Sequence, residues 1–75
     1  MPELRKVSGR EAVKALEKLG FRQVRQRGSH VMMVRETPQG KTGCAVPIHR
    51  ELKIGTLRGI LRQAKLDVDE FAAAL

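Results

Sequence analysis

Aromatic side chains are nearly absent. The 75 residues hold two, Phe21 and Phe71, and neither Trp nor Tyr. Modules that read single-stranded bases stack them on aromatic platforms, and this chain cannot build one. Any contact with RNA is therefore expected to run mainly through phosphate, sugar and shape. The single cysteine, Cys44, excludes an internal disulfide and a cysteine-built zinc site within one chain. Two histidines without CxxC or HExxH spacing predict no metal, and nothing calls for a cofactor. No run approaches the ~20 apolar residues of a membrane helix. The N-terminus lacks an apolar signal core, which predicts a cytoplasmic protein with no membrane partner. A length of 75 residues predicts one domain spanning 1–75.

Acidic residues are also scarce. Eight Asp and Glu stand against 15 Lys and Arg, a net charge of +7. The imbalance is uneven, because residues 66–75 carry Asp67, Asp69 and Glu70 and no Lys or Arg. Residues 1–65 thus hold all 15 basic residues against five acids. Such a surplus attracts polyanions at long range, and nucleic acid is the leading candidate. An acidic membrane surface would call for an amphipathic helix with bulky apolar anchors, and none is evident.

Residues 1–7 read as a lead-in that pins Leu4 or Val7 to the body. Ser8-Gly9-Arg10-Glu11 has the form of a capping box, in which hydroxyl and carboxylate each take a backbone N–H. Ala12, Val13, Leu16 and Leu19 then recur at helical spacing, and Gly20 is placed to end the helix in a left-handed turn. Arg10, Lys14 and Lys18 form a basic row on another face. Phe21–Gln26 is expected to be an edge strand, although its apolar residues do not alternate. Gly28-Ser29 supplies a turn, and His30–Arg35 reads as a strand rich in Val and Met. Glu36–Gly40 is a second turn, and Lys41–Val46 a third strand ended by Pro47. Residues 48–54 read as a loop. Gly55 or Thr56 is expected to cap a helix with Leu57, Ile60, Leu61 and Ala64 on one stripe. Asp67–Glu70 opens a short last helix. The order predicts an α+β domain: α-β-β-β-α, a three-stranded antiparallel meander with both main helices on one face, and a short C-terminal helix.

The chemistry converges on Arg27-Gly28-Ser29-His30. Metal-free RNA cleavage uses the neighbouring 2′-hydroxyl as nucleophile. It needs a base for that proton, a cation for the charge on phosphorus and an acid for the leaving oxygen. A histidine suits the first or third task, since its reference pKa of ~6.5 makes both forms available. Arginine and lysine suit the second. From residue chemistry alone, His30 is open between a packed strand residue and an acid/base. His49, in a loop after proline, is open between a structural or RNA-contact role and a catalytic one. Ser29 reads as a turn residue, because neighbours on a strand point to opposite faces and His30 cannot serve it as a base. For the same reason Met32 and Met33 cannot both face the core, and one of them is left on the sheet surface.

Leu19-Gly20-Phe21, Arg27-Gly28-Ser29-His30, Val46-Pro47-Ile48-His49, Glu51-Leu52-Lys53-Ile54-Gly55-Thr56-Leu57, Ile60-Leu61-Arg62-Gln63-Ala64 and Asp67-Val68-Asp69-Glu70-Phe71 follow one another in a particular order. In that order the chain resembles the HicA, or YcfA-like, toxins of toxin–antitoxin pairs. The resemblance implies a fold like the double-stranded RNA-binding domain. It implies a metal-independent mRNA endoribonuclease and a HicB-type antitoxin that masks its site. The functional histidine of the G-S-H element is His30 here. Arg27, Gly28, Ser29, Lys53 and Thr56 are the candidate RNA contacts, the last at the amide-rich start of a helix. Where many family members carry a polar residue and an aromatic after G-S-H, this chain has Val31-Met32-Met33. Two other readings stand beside the enzyme. One is a non-catalytic basic module that binds structured RNA by shape. The other is a small subunit whose basic face docks on an acidic protein.

Overall fold

The structure is a computed structural model that describes residues 6–75. Three strands and three helices follow in the order α1 (Gly9–Lys18), β1 (Arg22–Arg27), β2 (His30–Thr37), β3 (Gly40–Pro47), α2 (Ile54–Ala64), α3 (Val68–Ala74). The strands form one antiparallel sheet in the order β1-β2-β3. This is the expected α-β-β-β-α meander with a short terminal helix.

Local chemistry explains most of the boundaries. Ser8 Oγ accepts from the Glu11 N–H and Glu11 Oε1 from the Ser8 N–H, both at 3.1 Å. Asp67 and Glu70 repeat the arrangement at the start of α3. Ser8→Ala removes one of these bonds at a half-buried helix start. It should cost about 1 kcal/mol, read as a lower urea midpoint with unchanged slope. Gly20 follows α1 with φ +96°, a conformation that suits a residue without Cβ. Beyond it, Arg35 Nη1 donates to the Leu19 carbonyl at 3.2 Å, and its guanidinium lies 4.8 Å from the centre of the Phe21 ring. Arg35 therefore closes the C-terminus of α1, where a cation complements the helix dipole.

The core lies between the sheet and the helices. Val31 and Met33 on β2 oppose Val46 and Cys44 on β3, and all four are buried. Against them pack Leu16 of α1, Leu57 and Leu61 of α2, and Phe71 of α3, with Phe71 fully enclosed. Met32 and Val34, one step out of phase, are half-buried on the opposite face of the sheet. The two adjacent methionines thus divide between core and surface, as the strand period requires. Burial pushes the Cys44 thiol up to about 11. The folded chain therefore holds the neutral thiol while the unfolded chain ionises near 9. Stability from this group is full below pH 9 and is lost as pH rises from 9 to 11. Cys44 should resist a thiol reagent at pH 8 in buffer and react at once in urea.

Several boundaries differ from the sequence reading. β1 runs from Arg22 to Arg27, and every residue in it is exposed. Its pairing with β2 skips Val24, which bulges between Gln23 and Arg25 and is 46% exposed. The bulge is why the apolar residues of this segment fail to alternate. The second turn contains only Pro38 and Gln39, because pairing continues to Thr37↔Gly40. β3 includes Pro47 as its last residue. The cap of α2 is Lys53, with extended φ −66° and ψ 147°, and not Gly55 or Thr56. Those two lie within the first turn, which the Leu57 N–H closes on the Lys53 carbonyl at 2.9 Å. No side chain caps this helix. Its start is set by tertiary contacts, since Leu52 is pinned to Val7 by a bridge just before it. Val7 is buried, and the suggested anchor at Leu4 lies outside the described residues.

Candidate active site

Residues 27–30 sit where β1 turns into β2. Gly28 and Ser29 are the two turn residues, and Gly28 has φ +54°. Gln26 Nε2 donates to the Gly28 carbonyl at 3.1 Å. On the other side, Ile48 N–H donates to the Ser29 carbonyl at 2.6 Å. The turn is thus tied to its own strand and to the end of β3.

His30 is the first residue of the middle strand and is exposed. Its partners across the ladder are Arg27 on β1 and Pro47 on β3. Directly opposed residues share a face with Cβ atoms ~4.5–5.5 Å apart. Val31 and Met33 fill the core face, so His30 belongs to the other face with Met32 and Val34. The partners of that row on β1 are Arg27, Arg25 and Arg22. The imidazole therefore heads a row of three arginines on the uncovered side of the sheet. Arg22 is held by Glu36 at 3.0 Å, an exposed pair that contributes little to stability. Among the described residues, Arg25 and Arg27 have no carboxylate partner and are available to an anion.

A second cluster lies beyond Pro47. His49, Lys53 and Thr56 line one shallow cleft with Pro47 and Leu52. His49 also borders a neighbouring cleft with Ser8, Arg10 and Arg50. The two strand ends and the starts of both main helices thereby meet at one end of the molecule. Lys53 and Thr56, far from His30 in sequence, are joined to it through the His30↔Pro47 pair.

The device that brings α1 here is Gly9. Its N–H donates to the His49 carbonyl at 2.9 Å. A side chain at Gly9 would overlap the Pro47 carbonyl. This contact places Arg10 beside His49, which the sequence reading did not foresee. The one signal for it was a glycine inside the first turn of a helix, where propensity gives it no reason to be.

Electrostatics at this end are one-sided. Arg10, Arg25, Arg27, Arg50 and Lys53 are all exposed, and Glu51 is the one acid among the residues lining the two clefts at His49. Among the described residues no group of three or more His, Cys, Asp or Glu is arranged to hold a metal ion. No helix of the described residues is long and apolar enough to cross a membrane.

No curated protein and no solved structure matches the chain. A family model does, the HicA toxin of bacterial toxin–antitoxin systems, over residues 9–66. The matched span runs from Gly9, at the start of α1, through the G-S-H turn, the end of β3 and all of α2. By that match the chain belongs to the HicA toxin family.

Proposed function

We propose that this protein is an endoribonuclease that cuts mRNA without a metal, with His30 as general acid/base. The observation that carries the reading is the cross-strand pair of an exposed His30 with Arg27, on a face where Arg25 is also unpaired. A phosphate lying over this pair would meet a proton acceptor and a fixed cation together. His30 takes the proton of the 2′-hydroxyl as that oxygen attacks the adjacent phosphorus. Arg27 holds the charge that builds on the phosphoryl oxygens, and the bond to the 5′-oxygen breaks as that oxygen takes a proton from water, while His30 gives up its own to solvent. The Gly28-Ser29 turn fixes the distance between the two side chains. Lys53 and the first-turn amides at Thr56 hold a neighbouring phosphate, where partial positive charge collects at a helix start. His49, beside Lys53, contacts RNA.

A HicB-type antitoxin is the partner in this reading. It covers the uncovered sheet face, where Val24, Met32 and Val34 lie among arginines. A surface with an apolar centre and a cationic rim suits an acidic protein. Covering it would also block His30.

The test is cleavage of a defined RNA by purified protein in EDTA. This mechanism leaves a 2′,3′-cyclic phosphate and a 5′-hydroxyl, and a single 2′-deoxy substitution at the cut site should abolish that cut. Activity that requires added metal would sink the mechanism. The exposed row Arg10, Lys14 and Lys18 on α1 favours a second reading, a non-catalytic module that binds structured RNA by shape. That reading predicts binding with no cut at all.

A further inference from the structure

The core side of β1 presents a conflict. Gln23 and Gln26 stand opposite Met33 and Val31 in the ladder, and those two are among the most buried residues of the sheet. Positions facing the core side beside such neighbours would ordinarily be apolar. Here they are carboxamides, both exposed. α1 packs over β2 and β3 on this side of the sheet. The result is an open cleft between α1 and β1 with Val13, Val31 and Ile48 as its floor. Its α1 wall is Arg10, Lys14 and Glu17, and its β1 wall is the two glutamines. The inner face of β1 is thus open to solvent and carries hydrogen-bonding side chains.

We propose that this cleft holds one unpaired nucleotide of the bound RNA, its base edge read by Gln23, Gln26 and Glu17 and its phosphate held by Arg10 and Lys14. The inference rests on the RNA-cutting reading for its substrate and adds a binding site to it. Each part of a nucleotide has a counterpart. The apolar floor accepts the base face without an aromatic platform. Carboxamides offer donor and acceptor together, which suits base edges, and a carboxylate accepts from an exocyclic amino group. The cations line the wall that a backbone would follow. The cleft is continuous with the turn at His30, because Ile48 N–H bonds the Ser29 carbonyl and Gln26 bonds the Gly28 carbonyl. An RNA strand rounding the end of the sheet would therefore set the scissile phosphate at His30 and a flanking base in the cleft. The ligand class is single-stranded, since pairing occupies the Watson–Crick edge of a base and stacking keeps its face from the floor of the cleft.

The experiment measures affinity in the His30→Ala background at fixed salt, with a single-stranded 12-nucleotide RNA of mixed sequence and a blunt duplex of equal length. Glu17→Ala and Gln23→Ala together should weaken single-strand binding about tenfold and leave duplex binding alone. The sign is diagnostic. Removing a carboxylate makes the protein more positive, so a surface that only attracts phosphate would bind more tightly. With His30 restored, the same pair of substitutions should spread the cut sites over more sequences. Unchanged or tighter single-strand binding overturns the inference, as does a loss confined to binding of an acidic protein partner. If the protein carrying His30 leaves RNA uncut while the tenfold loss is found, the nuclease reading falls and this site stands. If RNA is cut at an unaltered set of positions, the site falls and the nuclease stands. Melting temperatures within a few degrees of one another exclude misfolding, which is expected because both side chains are exposed.

Discussion

His30→Ala is expected to slow RNA cleavage by about 10²–10⁴-fold, the usual effect of removing a placed acid/base. Affinity for RNA should fall no more than about threefold, because most of it comes from Arg and Lys contacts to phosphate. Expression of the wild-type chain alone should arrest growth, and the variant should not. Stability offers a control. The ring is exposed and no described hydrogen bond depends on its side chain, so the substitution leaves no cavity. A change within about 0.5 kcal/mol is expected for such a site. Rate loss without loss of binding or stability assigns chemistry to His30. A variant that cuts as fast as the wild type would remove His30 from the mechanism. A non-catalytic RNA-binding module would give a different result again, with no cleavage from either protein and equal binding by both.

Gly9→Ala should be the most damaging methyl group that can be added to this protein. Gly9 is buried at the first position of α1. A Cβ there would overlap the Pro47 carbonyl oxygen and lie 2.7 Å from Ile48 Cα. Both obstacles are backbone, so no rotamer change relieves them. Either α1 or residues 47–49 must move, and the Gly9 N–H bond to the His49 carbonyl stretches or breaks. Overpacking costs about 1–3 kcal/mol, and the lost hydrogen bond about 1 more. A domain of this length has a total stability of only about 4–11 kcal/mol. The melting temperature should fall by about 10–25 °C. Gly59→Ala provides the contrast. Gly59 lies within α2 with nothing within 4 Å of a new Cβ, so alanine there should raise stability by about 0.5–1 kcal/mol. Equal effects at the two sites would mean that the close approach of α1 to Pro47 is wrong. Gly9→Ala should also reduce cleavage beyond what unfolding explains, since it displaces Arg10 from His49.

Much of the fold was legible because several signals agreed at each element. For α1, the capping box, the apolar stripe and Gly20 all point to the same boundaries. For β2, the dense Val and Met run and the Gly28-Ser29 turn do so. Legibility failed where only one signal was present. β1 carries no apolar alternation because it has no buried face at all and bulges at Val24, so its pattern reports exposure rather than pairing. The start of α2 was misjudged by two or three residues because capping preferences point to Gly55 or Thr56. The chain instead enters the helix at Lys53 under the constraint of the Leu52–Val7 bridge.

The candidate site divides in the same way. Arg27, Gly28, Ser29 and His30 are adjacent in sequence, and a tight turn leaves them few arrangements. Their grouping was therefore readable from the residues. The approach of Arg10, His49, Lys53 and Thr56 was not, since it depends on where α1 crosses the sheet.

By itself, the sequence determined the order and type of the elements, the placing of Met32 and Met33 on opposite faces of the sheet, and the excess of cations. These follow from local periodicity, turn chemistry and charge, each of which acts over a few residues or over none in particular. Only the tertiary structure decided that the two histidines stand at one end of the sheet, that Arg35 closes a helix instead of meeting a ligand, and that β1 has an open cleft behind it. Those outcomes depend on how closely the backbone of one element can approach that of another. At Gly9 that distance is set by the absence of a single carbon atom.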